Sequence, residues 1–334
     1  MGNSIDLKQK FFSIKTLVSF LLAFAIIYLL ITRMDVTEVS TVIRHTDPLL
    51  YLAGFAVYYL AFPLRGMRFH TMLKNNECEV PTGELTRIIY VSWFANCVVP
   101  AKLGDIFRAY LVRRKCGHPF INTVGTIFAE RVFDLFILYL LIGISGLIAS
   151  RGIIPPAMMI VLETSFVILA VILAVLVLMK FYSTKLVSRL PEKARAVYEK
   201  FLAGTMSSFS HNWQIAGLTT AIWFLEGASF YMVTRALGID LPFVNVIFIG
   251  LFSALLTALP ITPAGLGFVE TAKVGMLLFF QVNRNFALSA ALLDRVINYW
   301  SLLIIGFIVY MATEAKLNKE VGPDESDDCH SYIQ

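Results

Sequence analysis

The stretch Asn96–Asp105, NCVVPAKLGD, places a proline and a glycine inside a run that otherwise has the composition of a membrane helix. A second stretch, Ile261–Glu270, ITPAGLGFVE, repeats the pattern P-A-x-L-G. Proline removes a backbone N–H, and glycine permits conformations that a helix excludes. Each stretch therefore predicts a helix break, and each ends at a carboxylate.

The composition around the two stretches indicates a membrane protein. Of the 334 residues, 57% are hydrophobic and 15% are charged, whereas a soluble domain carries about 25% charged residues. The net charge of +5 does not indicate nucleic-acid binding, because the basic residues lie in short clusters between hydrophobic runs, as cytoplasmic loops do. The sequence predicts an all-α polytopic membrane protein.

Six segments have the length and apolarity of full membrane spans. They are residues 16–33, 49–64, 123–149, 157–179, 215–237 and 286–312. Two further apolar segments, 88–107 and 244–281, contain the breaks. Basic loops flank the first broken segment on both sides, so the positive-inside rule returns it to the cytoplasmic side. The charge pattern fits if both broken segments are re-entrant or if both are complete helical pairs. We expect two re-entrant helical hairpins, with both chain termini cytoplasmic and a polar tail over 313–334.

The two broken segments belong to a longer repeat. Glu130-Arg131-Val132 begins thirty residues after Pro100, and Asp294-Arg295-Val296 begins thirty-one residues after Pro263. The chain is then one transmembrane domain, 1–334, with halves 16–150 and 157–312 of opposite orientation. Inverted repeats with discontinuous helices are typical of transporters, whose sites lie where the breaks meet.

Ionisable residues recur in the predicted membrane segments, where a charge is costly and indicates a functional site. Their spacing places Asp105 with Arg108 and Glu270 with Lys273 at i,i+3, and Arg131 three residues before Asp134. Two interpretations are open, an inert set of interhelical ion pairs or a polar cavity for an anionic head group. The candidate head-group residues are Arg65, Arg68, Arg108, Arg131, Lys273 and Arg295. The candidate cavity or coupling carboxylates are Asp105, Glu130, Asp134, Glu270 and Asp294. The candidate break residues are Asn96, Pro100, Gly104, Pro260, Pro263, Gly265 and Gly267.

Other kinds of site are not indicated. The cysteines Cys78, Cys97, Cys116 and Cys329 are scattered and predict free thiols. We expect no metal, no cofactor and no catalytic residues, because nucleotide-binding loops and hydrolase motifs are missing from the sequence.

These residues resemble the lysylphosphatidylglycerol synthase transmembrane region, also called the flippase-like domain family. The resemblance covers about 10–315. It rests on Asn96-x3-Pro100-x3-Gly104-Asp105-x2-Arg108, Glu130-Arg131-x2-Asp134, Pro260-x2-Pro263-x-Gly265-x-Gly267-x2-Glu270, Arg295 with Tyr299-Trp300, and Arg65-x2-Arg68. The family favours two glycines where this chain has Ala264-Gly265. In its fused members a soluble aminoacyl-transferase follows a domain like this one, and this chain carries no such soluble half.

The resemblance implies a lipid translocase of the cell membrane. The expected substrate is an anionic phospholipid or a polyprenyl-phosphate-linked lipid, moved between leaflets through a central polar cavity. Two alternatives stay open, a membrane enzyme that modifies a lipid head group and a non-transporting scaffold or regulatory subunit. The expected partner is membrane lipid and not nucleic acid. A homo-oligomer and a separate lipid-modifying enzyme or glycosyltransferase are further partners left open.

Overall fold

A computed structural model describes residues 36–76, 78–99, 102–149, 156–187, 191–210, 212–257 and 263–320. In these ranges the regular structure is entirely helical, which confirms the predicted fold class at that level. The first predicted span, 16–33, and the end of the polar tail lie outside the described residues.

The helices are numbered here in chain order. They are α1 (Val36–Arg44), α2 (Pro48–Lys74), α3 (Thr82–Val98), α4 (Leu103–Cys116), α5 (Phe120–Ala149), α6 (Pro156–Val187), α7 (Glu192–Ser207), α8 (Asn212–Ala236), α9 (Phe243–Leu256), α10 (Phe268–Phe279), α11 (Arg284–Arg295) and α12 (Leu302–Glu320). A 3₁₀ turn, Pro263–Gly265, precedes α10, and a π-helical segment, Val296–Ser301, joins α11 to α12.

Four of the predicted spans coincide with helices that are long and apolar enough to cross a membrane. These are Pro48–Lys74, Phe120–Ala149, Leu162–Met179 within α6, and the continuous helix Arg284–Thr313. The predicted span at 215–237 coincides with α8, which has 25 residues. Many of the large apolar side chains on α5, α6 and α12 are exposed, as expected for helices whose outer surface meets lipid.

The two P-A-x-L-G stretches interrupt the helices as predicted. Helix α3 ends at Val98, and α4 begins at Leu103 after Lys102, whose φ of 54° is left-handed. Helix α9 ends at Leu256, and α10 begins at Phe268 after Gly265 and Gly267, with φ of 70° and 85°. Pro100 and Pro260 lie outside the described residues.

Close packing of α2 against α8 forms the centre of the molecule. Gly54 on α2 lies where an added Cβ would be 3.4 Å from the carbonyl oxygen of Ser229 on α8. The Ser229 hydroxyl in turn donates to the Gly54 carbonyl at 2.8 Å. Helices α2 and α8 fall in the two different predicted halves, so this contact joins those halves.

Candidate functional site

A cavity of about 350 Å³ lies between the two helix breaks. The first break contributes Asn96, Val99 and Lys102 to its wall, and the second contributes Thr257 and Ala264. Among the described residues, five basic and three acidic side chains line it: Arg65, Lys102, Arg131, Lys273 and Arg295, with Asp134, Glu226 and Asp294. The cavity therefore carries an excess of positive charge among apolar and aromatic residues.

Asn96 holds the first break together. Its side-chain oxygen accepts from the backbone N–H of Gly104 at 2.9 Å, while the Ser92 hydroxyl donates to the Gly104 carbonyl at 2.9 Å. The bond from Asn96 satisfies a backbone N–H that the first turn of α4 leaves without a helical partner, and the bond from Ser92 adds a second link between α3 and α4. Gly104 has to be glycine, because an added Cβ would lie 2.0 Å from the Ser92 carbonyl oxygen.

Arg131 on α5 connects the first break to the spanning helix. Its guanidinium binds Asp105, in the first turn of α4, at 2.8 Å and Asp134 at 3.4 Å. A forked arginine–carboxylate contact of this kind fixes both side chains. Arg131 keeps 27% of its side-chain surface accessible and lines the cavity. Arg131 is thus fixed by its ion pairs and still exposes part of its side chain to the cavity.

Arg68 and Arg108 lie behind the cavity wall. Arg68 on α2 binds Glu130 at 2.8 Å and Asp134 at 2.6 Å, and it donates to the Thr219 hydroxyl at 2.9 Å. Arg108 on α4 binds Glu130 at 3.0 Å. The side chains of both arginines are 1% exposed, and neither lines the cavity. This network holds α2, α4 and α5 together.

The second break is held by a related set of contacts. Glu270, in the first turn of α10, accepts from the Gly267 N–H at 2.8 Å and binds Arg295 at 2.7 Å. Arg295 also donates to the carbonyl oxygens of Ala264 and Gly265, at 3.4 and 3.2 Å. The arginine of each acid-Arg-Val triplet thus binds a carboxylate in the first turn after its own break.

Lys273 forms its ion pair with a residue of its own predicted half, 157–312. It binds Asp294, which also accepts from the Asn298 amide at 2.6 Å. Its ammonium lies 4.4 Å from the centre of the Phe230 ring, a cation–π contact. Lys273 and Arg295 are both more than nine-tenths buried. Each of these two cations beside the second break has a carboxylate partner.

The Arg65–Glu226 ion pair joins the two predicted halves across the cavity. Arg65 on α2 binds Glu226 on α8, and its guanidinium lies 4.5 Å from the centre of the Trp93 ring. A carboxylate inside a spanning helix can line a cavity or bond a neighbouring helix, and Glu226 was not among the candidates named from the sequence. In the structure it does both.

Lys102 differs from the other cavity cations. It forms no ion pair with any residue in the described ranges, although Arg131, Arg295, Lys273 and Arg65 all do. On the uncharged cavity residues, Trp223 Nε1 and Asn298 Oδ1 are buried without a hydrogen-bond partner in the same ranges, and so is Nε of the paired Arg65. Such groups are costly unless a ligand or water satisfies them. The described wall therefore offers an unpaired cation, Lys102, together with free hydrogen-bond donors and a free acceptor on Asn298.

The pairings differ from those expected from sequence spacing. The i,i+3 neighbours Asp105 and Arg108 do not bind each other, and neither do Glu270 and Lys273. Each instead binds a residue from another helix. Asp294 also binds Asn298, four residues later. The Arg131–Asp134 pair is confirmed. A buried charge gains most from a partner that the fold brings to it, and sequence spacing does not show that partner.

The structure brings most of the candidate residues together. Arg65, Arg131, Asp134, Lys273, Asp294, Arg295 and Asn96 line the cavity. Asp105, Glu130, Glu270, Arg68 and Arg108 bind those residues or one another from behind. Sequence reasoning did not single out Lys102 or Trp223. The signal for Lys102 was the lysine standing where the second repeat has Gly265. In the described ranges no group of three His, Cys, Asp or Glu side chains is placed to hold a metal ion.

Comparison with known proteins places this geometry in a family. The profile of the lysylphosphatidylglycerol synthase TM region matches residues 16–306. The chain belongs to this family. A UPF0104 membrane protein of Methanocaldococcus jannaschii is 32% identical over 228 residues, which cover 68% of this chain and 97% of the relative. A UPF0104 membrane protein of Methanothermobacter thermautotrophicus is 22% identical over 92% of this chain and 97% of its own.

A third relative carries an enzyme name. Glycosyltransferase AglD of Haloferax volcanii is 28% identical over 304 residues, covering 79% of this chain but 49% of AglD. This chain therefore matches about half of that longer protein, and about half of AglD has no counterpart in the alignment.

Proposed function

We propose that this protein is a lipid translocase, which moves an anionic phospholipid or a polyprenyl-phosphate-linked lipid between membrane leaflets. The observation that carries the proposal is the cavity between the two helix breaks, with its excess of basic side chains and its unpaired Lys102. An ammonium group in a low-dielectric surrounding attracts a phosphate strongly. A lipid phosphate supplies the negative charge that the described part of the cavity lacks.

In this proposal the cavity cations have different tasks. Lys102 contacts the phosphate directly, and Arg131 adds a second contact through its exposed face. Arg295, held by Glu270 and two backbone carbonyls, mainly fixes the second break. The buried donor of Trp223 and acceptor of Asn298 bind polar groups attached to the phosphate. The acyl or prenyl chains stay in the bilayer.

The two halves, 16–150 and 157–312, form an inverted repeat in the proposed mechanism, with each broken segment a re-entrant hairpin. Matching features support this: a positive φ at the third position of each P-A-x-L-G, at Lys102 and Gly265, and an arginine bound to the carboxylate after its own break. Rocking of the halves would open the cavity to each leaflet in turn. The Arg65–Glu226 pair joins the halves, so we expect it to rearrange during that motion.

The proposed location is the cell membrane, with both termini in the cytoplasm. A separate lipid-modifying enzyme or glycosyltransferase would supply the lipid. The relative named as a glycosyltransferase supports such a pairing, because it matches this chain over only about half of its own length. On this proposal the present chain is not itself an enzyme, and a homo-oligomer remains compatible with it.

The experiment that tests the proposal is lipid translocation in liposomes. Purified protein is reconstituted with fluorescent phosphatidylglycerol or a fluorescent polyprenyl-phosphate lipid in both leaflets, and dithionite bleaches the outer leaflet. We expect bleaching beyond the outer-leaflet fraction in protein-containing liposomes, with or without an imposed pH gradient. A fluorescent phosphatidylcholine, whose head group has no net charge, serves as the comparison and should move more slowly.

The same liposomes separate the two other classes of function. Mass spectrometry of the recovered lipid would show a changed head group if the protein were an enzyme. Bleaching that stops at the outer leaflet for every lipid, with intact lipid recovered, would contradict translocation and favour a scaffold or regulatory subunit.

A further inference from the structure

Two cysteines that are 38 positions apart in the sequence meet at one end of the α3–α4 pair. Cys78 lies in the turn between α2 and α3, and Cys116 is the last residue of α4. Their sulfur atoms are 2.7 Å apart, and both thiols are free. The sequence predicted scattered free thiols, and spacing alone gave no sign that these two would be neighbours.

Both cysteines sit on hydrogen-bonded backbone. The Cys78 N–H donates to the Leu73 carbonyl at 3.1 Å, which fixes the turn after α2. Cys116 donates through Sγ to the Val112 carbonyl at 3.3 Å. Gly117 follows in the left-handed conformation with its N–H on the Arg113 carbonyl, a common way for a helix to end. The two sulfurs therefore face each other because the ends of the helices hold them there.

A buried network fixes the helices that carry the two cysteines. Arg68 on α2 and Arg108 on α4 both bind Glu130, and the Arg108 guanidinium lies 4.4 Å from the centre of the Phe69 ring on α2. A pair of thiols on elements held in this way forms a disulfide with little backbone movement.

We infer that Cys78 and Cys116 are a thiol–disulfide modification site, oxidised by a low-molecular-weight disulfide. This inference does not rest on the proposed lipid function. The product is an intramolecular disulfide that fastens the end of α4 to the turn after α2. The cellular thiol redox state would thereby control a covalent link at one end of the α3–α4 pair, which carries the first break.

The two thiols differ in access, which sets the order of the steps. Cys116 is exposed and Cys78 is buried, and burial raises the pKa of the Cys78 thiol to about 12. The Cys116 thiolate attacks the disulfide reagent, forms a mixed disulfide and releases one thiol. The Cys78 sulfur then loses its proton to water, attacks Cys116 Sγ and releases the second thiol. Two protein thiols are oxidised, and one disulfide reagent is reduced to two thiols.

The test uses purified full-length protein in detergent with a mixture of reduced and oxidised glutathione. The reaction is quenched with acid and N-ethylmaleimide, and non-reduced peptides are identified by mass spectrometry. The expected result is a linked Cys78–Cys116 peptide as the main oxidised product, which disappears on addition of excess dithiothreitol. The same treatment after unfolding in dodecyl sulfate should give much less of it.

Matched variants assign the bond. The double variant Cys97→Ser with Cys329→Ser keeps only the two proposed partners and should cross-link as the wild type does. In Cys78→Ser the expected product is glutathione on Cys116, because the resolving thiol is gone. Wild-type protein that accumulates glutathione on Cys116 without the linked peptide, or that stays fully alkylated by maleimide, would overturn the inference. This result is measured on the wild type, so it holds even if a variant misfolds.

Discussion

At the first helix break, Lys102 has no carboxylate partner in the described residues. At the second break, the cation Arg295 has one. Both breaks share the pattern P-A-x-L-G and a left-handed third residue, with φ of 54° at Lys102 and 70° at Gly265. At the second break, Arg295 donates to the carbonyls of Gly265 and of Ala264 before it, and it binds Glu270. At the first break, the left-handed residue is itself a lysine that lines the cavity.

On the proposed function, this difference indicates that the ligand binds at the first break. A left-handed conformation costs a residue other than glycine about 1–2 kcal/mol, and glycine at the same place in the other repeat avoids that cost. Lys102 thus sits in a conformation that stability alone would not select, and none of the described carboxylates pairs with its charge. The second break also has a left-handed residue other than glycine, Ala264 with φ of 47°, so the missing carboxylate partner is the feature that fits a binding role for Lys102.

The largest expected effect comes from the buried carboxylates behind the two breaks. Glu130→Ala leaves Arg68 and Arg108 buried with less compensation, and we expect a loss of about 3–5 kcal/mol in unfolding free energy. Glu270→Ala removes one arginine partner and the acceptor of the Gly267 N–H, so its loss should be smaller. Thermal unfolding of the purified variants measures both. Glu199→Ala, which breaks an exposed pair, is the control and should change stability by less than about 1 kcal/mol. Equal losses of unfolding free energy in Glu130→Ala and Glu270→Ala would contradict the expectation that the carboxylate with two arginine partners contributes more.

The next effect is steric and local to the first break. In Gly104→Ala the new Cβ would lie 2.0 Å from a backbone oxygen and 2.7 Å from Asn96 Oδ1. Backbone cannot yield as a flexible side chain can, so we expect a loss of about 3 kcal/mol, seen as a lower unfolding temperature. Gly275→Ala in α10 is the matched control. Its Cβ would meet nothing within 4 Å, so it should be neutral or stabilising. A Gly104→Ala variant as stable as the wild type would mean that the first break is looser than its contacts indicate.

Smaller effects, of opposite sign to each other, are expected for substitutions at the left-handed residues Lys102 and Gly265. Lys102→Gly should raise the unfolding free energy by about 1 kcal/mol, because it relieves the left-handed strain. Gly265→Ala should lower it by a similar amount, since φ is 70° and the new Cβ would lie 2.7 Å from a Val269 methyl carbon. Thermal unfolding of both variants beside the wild type gives the two signs. If Lys102→Gly is destabilising, the lysine side chain has a structural role that its contacts do not show.

The smallest effect concerns the ion pair between the halves. Glu226→Gln removes one of the three carboxylates on the described cavity wall and leaves Arg65 without its partner. The cavity then attracts an anion more strongly, and we expect affinity for phosphatidylglycerol to rise by less than about tenfold. Microscale thermophoresis in detergent with added phosphatidylglycerol measures it, with Glu163→Gln on the exposed surface of α6 as control. Unchanged or weaker affinity would separate Glu226 from the anion site.

Much of this architecture could be predicted from the sequence. Proline and glycine act on their own backbone, so the two breaks followed from local chemistry. The prediction that the charged residues of the acid-Arg-Val triplets belong to a site followed from the cost of placing charge in apolar helices. Both depend on residues close together in the chain.

The partners of the charges could not be predicted in the same way. Asp105 and Arg108 are three apart on one helix, yet Asp105 binds Arg131 and Arg108 binds Glu130. The approach of α5 to α4 decides this, and no spacing along the chain encodes it. Placing Arg68 and Arg108 on the cavity required knowing which helix faces point inward, and the structure puts both behind its wall. Lys102 was missed because a charged residue in a predicted break looks like ordinary loop composition.

The central claim is that Lys102 at the first break binds the phosphate of an anionic lipid. Native mass spectrometry of lipids retained from the membrane tests it, comparing wild type with Lys102→Asn, which tolerates the left-handed conformation without the charge. One charge-assisted hydrogen bond contributes about 1.5–3 kcal/mol, so retention of phosphatidylglycerol or a polyprenyl-phosphate lipid should fall at least about tenfold. Retention of phosphatidylethanolamine should change much less, and Lys102→Arg should keep the anionic lipid. Equal retention of the anionic lipid by wild type and Lys102→Asn, both folded, would contradict the claim.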